Sequence, residues 1–282
     1  MSAACFAGLA LPHPSFAAPN TPRRIVTIGA DITETVALID GLTKIVAIDH
    51  GSRRPPEVAS LPNIGSFRSL SAEGIVAMAP DLIIASAASG PPDVIKQIRD
   101  AGFRLETVSA PDTVDGIVAK IISIGDLIDQ PAAAARLADR ISAEAAEMKT
   151  RLANARSRPK VLFVVGLTSA APLAAGAIPS ISEAIALAGG ENAGTVWTSV
   201  KPVSREALFG MPLALVLTTS EILNRTGGPD GFLRVAGMSG ITSLSADRVM
   251  AIDAGPFFLF GPSTLEIATE IAKKLHPDLF TI

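Results

Sequence analysis

The sequence has no tyrosine, one cysteine and three histidines in 282 residues, and each shortage excludes something. Cys5 alone cannot form an intrachain disulfide, and it says nothing about whether the compartment is oxidising. His13, His50 and His276 lie far apart, none at ligand spacing from another histidine or from Cys5. A closed zinc or manganese centre of the His-rich kind cannot be assembled from them. Cations are not in excess: 24 Lys and Arg face 27 Asp and Glu, for a net charge of −3. The clustered basic face that nucleic acid requires is missing, so no nucleic-acid partner is expected. No apolar run reaches the roughly 18 residues of a membrane-crossing helix. There is no G-x-S-x-G elbow, no phosphate-binding loop and no G-x-G-x-x-G behind a strand. An enzyme is therefore not expected; a loose carboxylate pair is the one catalytic arrangement left open.

What is present is apolar bulk. Hydrophobic residues make up 48% of the chain, too many for disorder and, at this length, enough for two α/β lobes. Ile25 to Gly29, Lys44 to Asp49, Asp81 to Ser86 and Arg104 to Ser109 read as strands. Helical spacing separates most of them, at Asp31 to Ile39, Ser71 to Met78, Pro92 to Ala101 and Val114 to Ile128. Nearly continuous apolar strands alternating with helices predict a parallel sheet covered on both faces. Residues 131–156 then run without a turn signal. Ala134, Leu137, Ile141, Ala145, Met148, Leu152 and Ala155 form a helical stripe, with Pro131 suited to the first turn. Such a helix is either a surface element of one domain or a rigid spacer between two lobes. After Pro159 the pattern restarts: strands at Lys160 to Val165, Ala214 to Thr219 and Val249 to Asp253, and helices at Ile181 to Leu187 and Ile267 to Leu275. Ser263 and Glu266 predict a capping box at the start of the last helix.

These signals divide the chain into a signal-like or disordered N-terminus (1–23), an N-terminal α/β lobe (24–130), a connecting helix (131–156) and a C-terminal α/β lobe (157–282). The fold class expected is α/β: two Rossmann-like lobes with central parallel sheets joined by one long helix. In the first segment, Ala3 to Leu11 is a short apolar run, and Ser15-Phe16-Ala17 resembles a small-x-small cleavage site. The basic stretch usual at the start of a signal is lacking, since no Lys or Arg precedes Arg23. An export signal and a plain extension both fit. A short duplication supports related lobes: Arg68, Ser71, Glu73 and Leu82 keep one constant offset from Lys201, Ser204, Glu206 and Leu215. Ser-x-Glu helix starts are common, so coincidence stays open as well.

Ligands of open parallel sheets bind beyond the strand ends, and that rule selects the candidate site residues. Ser66, Phe67 and Arg68 precede the first Ser-x-Glu helix; Trp197 and Lys201 precede the second. Phe257, Phe258 and Phe260 follow the last strand and either line an apolar cleft or pack under the last helix. Arg68 and Lys201, one per lobe, are candidates for pairing with ligand carboxylates. His50 directly follows the second strand, where a neutral imidazole can serve as a ligand.

Further pieces recur in order: Ile25 to Gly29 with Thr33-Glu34, Leu61-Pro-Asn-Ile-Gly65, Leu70-Ser-Ala-Glu-Gly74, Ala79-Pro-Asp-Leu82, Leu187-Ala-Gly-Gly-Glu-Asn192, Lys201-Pro202 and Gly261-Pro-Ser-Thr264. With these, the chain from Arg24 onward resembles the haemin-binding subgroup of periplasmic binding proteins of ABC importers, a group placed with siderophore and cobalamin binders. The resemblance implies two lobes with little hinge motion, haem or a related tetrapyrrole as the small-molecule ligand held between them, and no cofactor of the protein's own. It implies a monomer in the periplasm, exported and either free or lipid-anchored. It also implies that Glu73 and Glu206, one per lobe, dock on a permease dimer. The sequence departs from the subgroup in two places. Ser66 stands where an iron-ligating tyrosine is usual, and Ser263 where arginine is frequent. A serine hydroxyl is a poor ligand for ferric iron, which leaves His50 as the candidate iron ligand, or packing and carboxylate pairing alone. An iron-siderophore or cobalamin carrier remains an alternative. So do, in other classes, a ligand-sensing or regulatory module and an α/β enzyme.

Overall fold

The computed structural model describes residues 21–169 and 171–280. The expected signal-like stretch lies outside them except for its last three residues, as do Cys5 and His13.

The first lobe alternates strand and helix. Its elements are β1 (Ile25–Ile28), α1 (Ala30–Val36), β2 (Ile45–Ile48), α2 (Ala72–Val76), β3 (Leu82–Ser86), α3 (Pro92–Asp100), β4 (Leu105–Val108) and α4 (Val114–Leu127). The sheet runs β2-β1-β3-β4, parallel throughout. Every residue of the two central strands is buried, as a sheet covered by helices on both faces requires. Burying each of their isoleucines stabilises the fold by about 2 kcal/mol relative to exposure.

Next comes α5 (Pro131–Leu152), 22 residues long. At 1.5 Å per residue it spans about 33 Å. It stops four residues short of the expected end, because the amide of Ala155 tightens onto the carbonyl of Leu152, and Pro159 follows closely. Ala134, Leu137, Ile141 and Met148 of the expected stripe are buried, while Ala145 and Leu152 are half-buried. The N-terminal half lies on α4, where Gly125 admits Ala134: a Cβ on that glycine would stand 2.3 Å from the Ala134 Cβ.

The second lobe contains β5 (Lys160–Leu167), β6 (Pro172–Ala174), α6 (Pro179–Leu187), β7 (Glu191–Asn192), β8 (Lys201–Pro202), α7 (Arg205–Phe209), β9 (Leu213–Thr219), α8 (Ser220–Thr226), α9 (Pro229–Val235), β10 (Val249–Ile252), α10 (Ala254–Leu259) and α11 (Ser263–Leu275). Its sheet order is β10-β9-β5-β6-β8, with β7 also on β5. The expectation of a parallel sheet needs correction here. β10, β9, β5 and β7 are parallel, but β6 runs antiparallel to β5 and to β8. The link from Leu167 to Pro172 is too short for a crossover, so the chain can only fold back on its own strand. α5 also touches α11, and one continuous apolar cluster joins α1, α4 and α5 to α10 and α11.

Candidate functional site

The lobes meet along a polar seam. Lys120 on α4 is buried, and its Nζ donates to Asp31 Oδ2 of α1 at 2.9 Å and, across the seam, to the carbonyl of Leu259 at 2.7 Å. Glu34 on α1 accepts the backbone N–H of Ser263 at 3.2 Å and a short hydrogen bond from its hydroxyl. A carboxylate of one lobe thereby caps the first turn of α11 in the other. The capping box expected from Ser263 and Glu266 is not formed. Ser263 is turned to Glu34, and Glu266 is taken by Arg54, whose Nη1 lies 2.8 Å from it. Arg54 also reaches Asp253, at 3.3 Å. Burial pushes the carboxyls of Asp31 and Glu34 above their ordinary range, against the pull of Lys120 on the first and of Ser263 on the second. The close approach depends on Gly255, where a Cβ would lie 3.0 Å from both the Ala30 Cβ and the carbonyl of Gly51.

Above this seam lies a cavity of about 360 Å³ between the lobes. The loop after β2 contributes His50, Gly51 and Arg53; the ends of β9 and β10 and the starts of α8 and α10 contribute Thr219 to Glu221 and Ile252 to Gly255. All three strands deliver their C-terminal ends to it, as ligand sites of open parallel sheets require. The loop is held by the buried Asp49. Its Oδ1 accepts from the Gly29 amide at 2.8 Å and the Ser52 hydroxyl at 2.5 Å, and its Oδ2 from the Gly51 amide at 2.8 Å. A hydroxyl chain through Ser52, Thr33 and Thr27 continues beneath. The His50 amide donates to the carbonyl of Gly65 at 2.7 Å, which sets His50 beside the turn that begins at Ser66. A larger groove of about 720 Å³ runs along the C-terminal half of α5 between the start of α4 and the end of α6. No strand end opens into it, and the chemistry converges in the smaller cavity.

The sequence candidates fall into three groups. His50 lines the inter-lobe cavity; Ser66 is exposed and is not part of that lining. Phe67, Arg68, Trp197 and Lys201 are outside its lining. The Arg68 guanidinium rests over the Phe67 ring at 4.6 Å, and the Lys201 ammonium over the Trp197 ring at 5.3 Å. Trp197 is itself buried, with Nε1 donating to the carbonyl of Ala174. Phe257 and Phe260 are core residues with no exposed surface, and Phe258 is half-buried. Phe257 and Phe258 both meet Phe163 of β5, at centroid distances of 5.6 Å. Of the two readings for this cluster, packing under the last helix is the one the structure adopts, because α10 is only six residues long and turns its aromatic end into the apolar cluster that joins the lobes.

Glu73 and Glu206 are both exposed in the first turns of α2 and α7, each two residues after a serine N-cap. Neither is ion-paired among the described residues. Its own backbone N–H and the Ser204 hydroxyl hold the Glu206 carboxyl below its usual range. Among the described residues no group of three or more metal-ligating side chains forms a metal centre. No helix among them is long and apolar enough to cross a membrane. The sequence reading missed Arg53, Arg54, Glu221 and the whole seam. The Arg53-Arg54 pair directly beyond a strand end was the available signal; the acids it approaches lie some 200 positions away.

The family model described as periplasmic binding protein matches residues 25–256. The chain belongs to this family. The binding protein is similar, at 31% identity and a TM-score of 0.84, to a solved periplasmic heme-binding protein, RhuT from Roseiflexus sp. RS-1 in apo form, over 91% of this chain and 99% of that one. It is 30% identical, with a TM-score of 0.82, to the heme-binding protein BhuT in complex with two hemes, over 91% and 98% of the respective chains. The vitamin B12-binding protein of Vibrio cholerae is 25% identical over 263 residues, 92% of this chain and 91% of its own length.

Proposed function

We propose that this binding protein captures a metallotetrapyrrole, with haem favoured, in the cavity between its lobes and hands it to the permease of an ABC importer outside the cytoplasm. One observation carries the reading: an inter-lobe cavity at the strand ends with an imidazole on its wall, in a chain about 30% identical over nearly its whole length to solved heme-binding proteins. A neutral imidazole is an axial donor for haem iron or a corrin cobalt, whereas the neighbouring Ser66 hydroxyl is a weak one. His50 is accordingly assigned to the metal of the ligand. Its loop is fixed by Asp49, so little ordering entropy opposes binding. Glu73 and Glu206, exposed on matching helices of the two lobes, supply one carboxylate each for a two-fold permease partner.

Titration with haemin tests the reading. The absorbance spectrum should change and saturate at one or two equivalents, and His50→Ala should alter the bound spectrum. A spectrum that stays that of free haemin removes haem. Cyanocobalamin belongs in the same experiment, because the relative at 25% identity is named for vitamin B12.

A further inference from the structure

The loop after β2 carries two adjacent guanidinium groups with different surroundings. Arg54 enters the seam and is bonded to Asp253, Ser263 and Glu266. Arg53 is exposed, lines the inter-lobe cavity, and has no ion-pair or hydrogen-bond partner among the described residues. Its backbone is held in place by the Asp49 hydrogen bonds to Gly51 and Ser52. Across the cavity stands Glu221, in the first turn of α8 and also unpaired, while Asp253 is already met by Arg54. The walls therefore differ in sign: a free cation on the first lobe, a free anion on the second. A ligand acid on the second wall would be repelled by Glu221. On the first wall it would find a planar donor fork that matches a carboxylate with two parallel hydrogen bonds.

We propose that Arg53 holds the carboxylate of the bound ligand. It thereby selects tetrapyrroles with free acid side chains over those whose side chains are amides or esters, and turns the acid edge of the ring toward the first lobe. The proposal rests on the tetrapyrrole reading above and adds the chemical class within it. The decisive comparison uses haemin and its dimethyl ester, which share ring and iron and differ only in the two carboxylates. The full-length protein should bind haemin about tenfold more tightly than the diester, the scale of one charge-assisted contact at a partly exposed site. Arg53→Gln should erase that preference by weakening haemin alone, and Arg53→Lys, which keeps the charge but not the fork, should restore part of it.

Equal affinity of the unmodified protein for both ligands overturns the proposal and leaves the tetrapyrrole reading standing. An equal loss for both ligands in Arg53→Gln also overturns it, because Arg53 would then be joining the two walls through Glu221. Binding of neither ligand by the unmodified protein overturns the proposal and the reading beneath it together. Arg53 is exposed, so thermal melting of the variants should match the parent and exclude misfolding as the cause of any change.

Discussion

Replacing Lys120 by methionine is the sharpest probe of the seam. The methionine fills much of the lysine's volume but removes both of its hydrogen bonds, the one to Asp31 and the one to the carbonyl of Leu259. Asp31 is then left in the interior with no cation, and its Oδ1 already lacks a partner. Breaking a buried pair from one side costs about 3–5 kcal/mol. The lower end is expected here, because Asp31 can take up a proton. Burial raises its carboxyl above the ordinary 3.8 even with Lys120 present, and loss of the ammonium raises it further. The sign follows. Folded Asp31 binds its proton more tightly than the unfolded chain does, so its contribution to stability falls as pH rises from the unfolded pKa toward the folded one. It is regained as pH is lowered through the same window. Urea denaturation at pH 7 should show a loss of about 3 kcal/mol, a shift of about 1 M in the midpoint for an m-value near 3 kcal/mol/M. The deficit should shrink at pH 5. Adding Asp31→Asn should recover a large part of the loss at pH 7, since no buried charge then remains. A Lys120→Met protein within about 0.5 kcal/mol of the parent at pH 7, or a deficit that does not lessen with acid, would refute the account of the seam.

Two further outcomes follow from the geometry. Phe257→Ala should destabilise the protein by about 3–5 kcal/mol in the same denaturation assay, because the ring is fully buried against Phe163; a loss of ligand affinity at unchanged stability would instead restore it to the cleft wall. The double variant Glu73→Gln, Glu206→Gln should retain ligand affinity and melting temperature yet lose ligand uptake in cells, and normal uptake would end the docking assignment.

Much of this protein is determined by residues close together in the chain. The apolar runs of the first lobe specify its parallel strands, because a strand buried on both faces has no polar side to show. The stripe of α5 and the caps at Ser71 and Ser204 are equally local, since they depend on contacts within one or two turns. The position of His50 beyond a strand end belongs to the same class. The tertiary structure decided the rest. The antiparallel return of β6 follows from a short loop, and β6 is too brief a strand to announce itself by periodicity. The aromatic residues after β10 suit a cleft and a core equally well until the docking of α10 buries them. Arg53 and Arg54 are neighbours of the same type, yet one is bonded to Asp253 and Glu266 and the other faces the cavity. That difference comes from acids about 200 positions away, which only folding brings within reach. Hydrophobic period is a property of neighbours in sequence, whereas the pairing of charges is a property of neighbours in space.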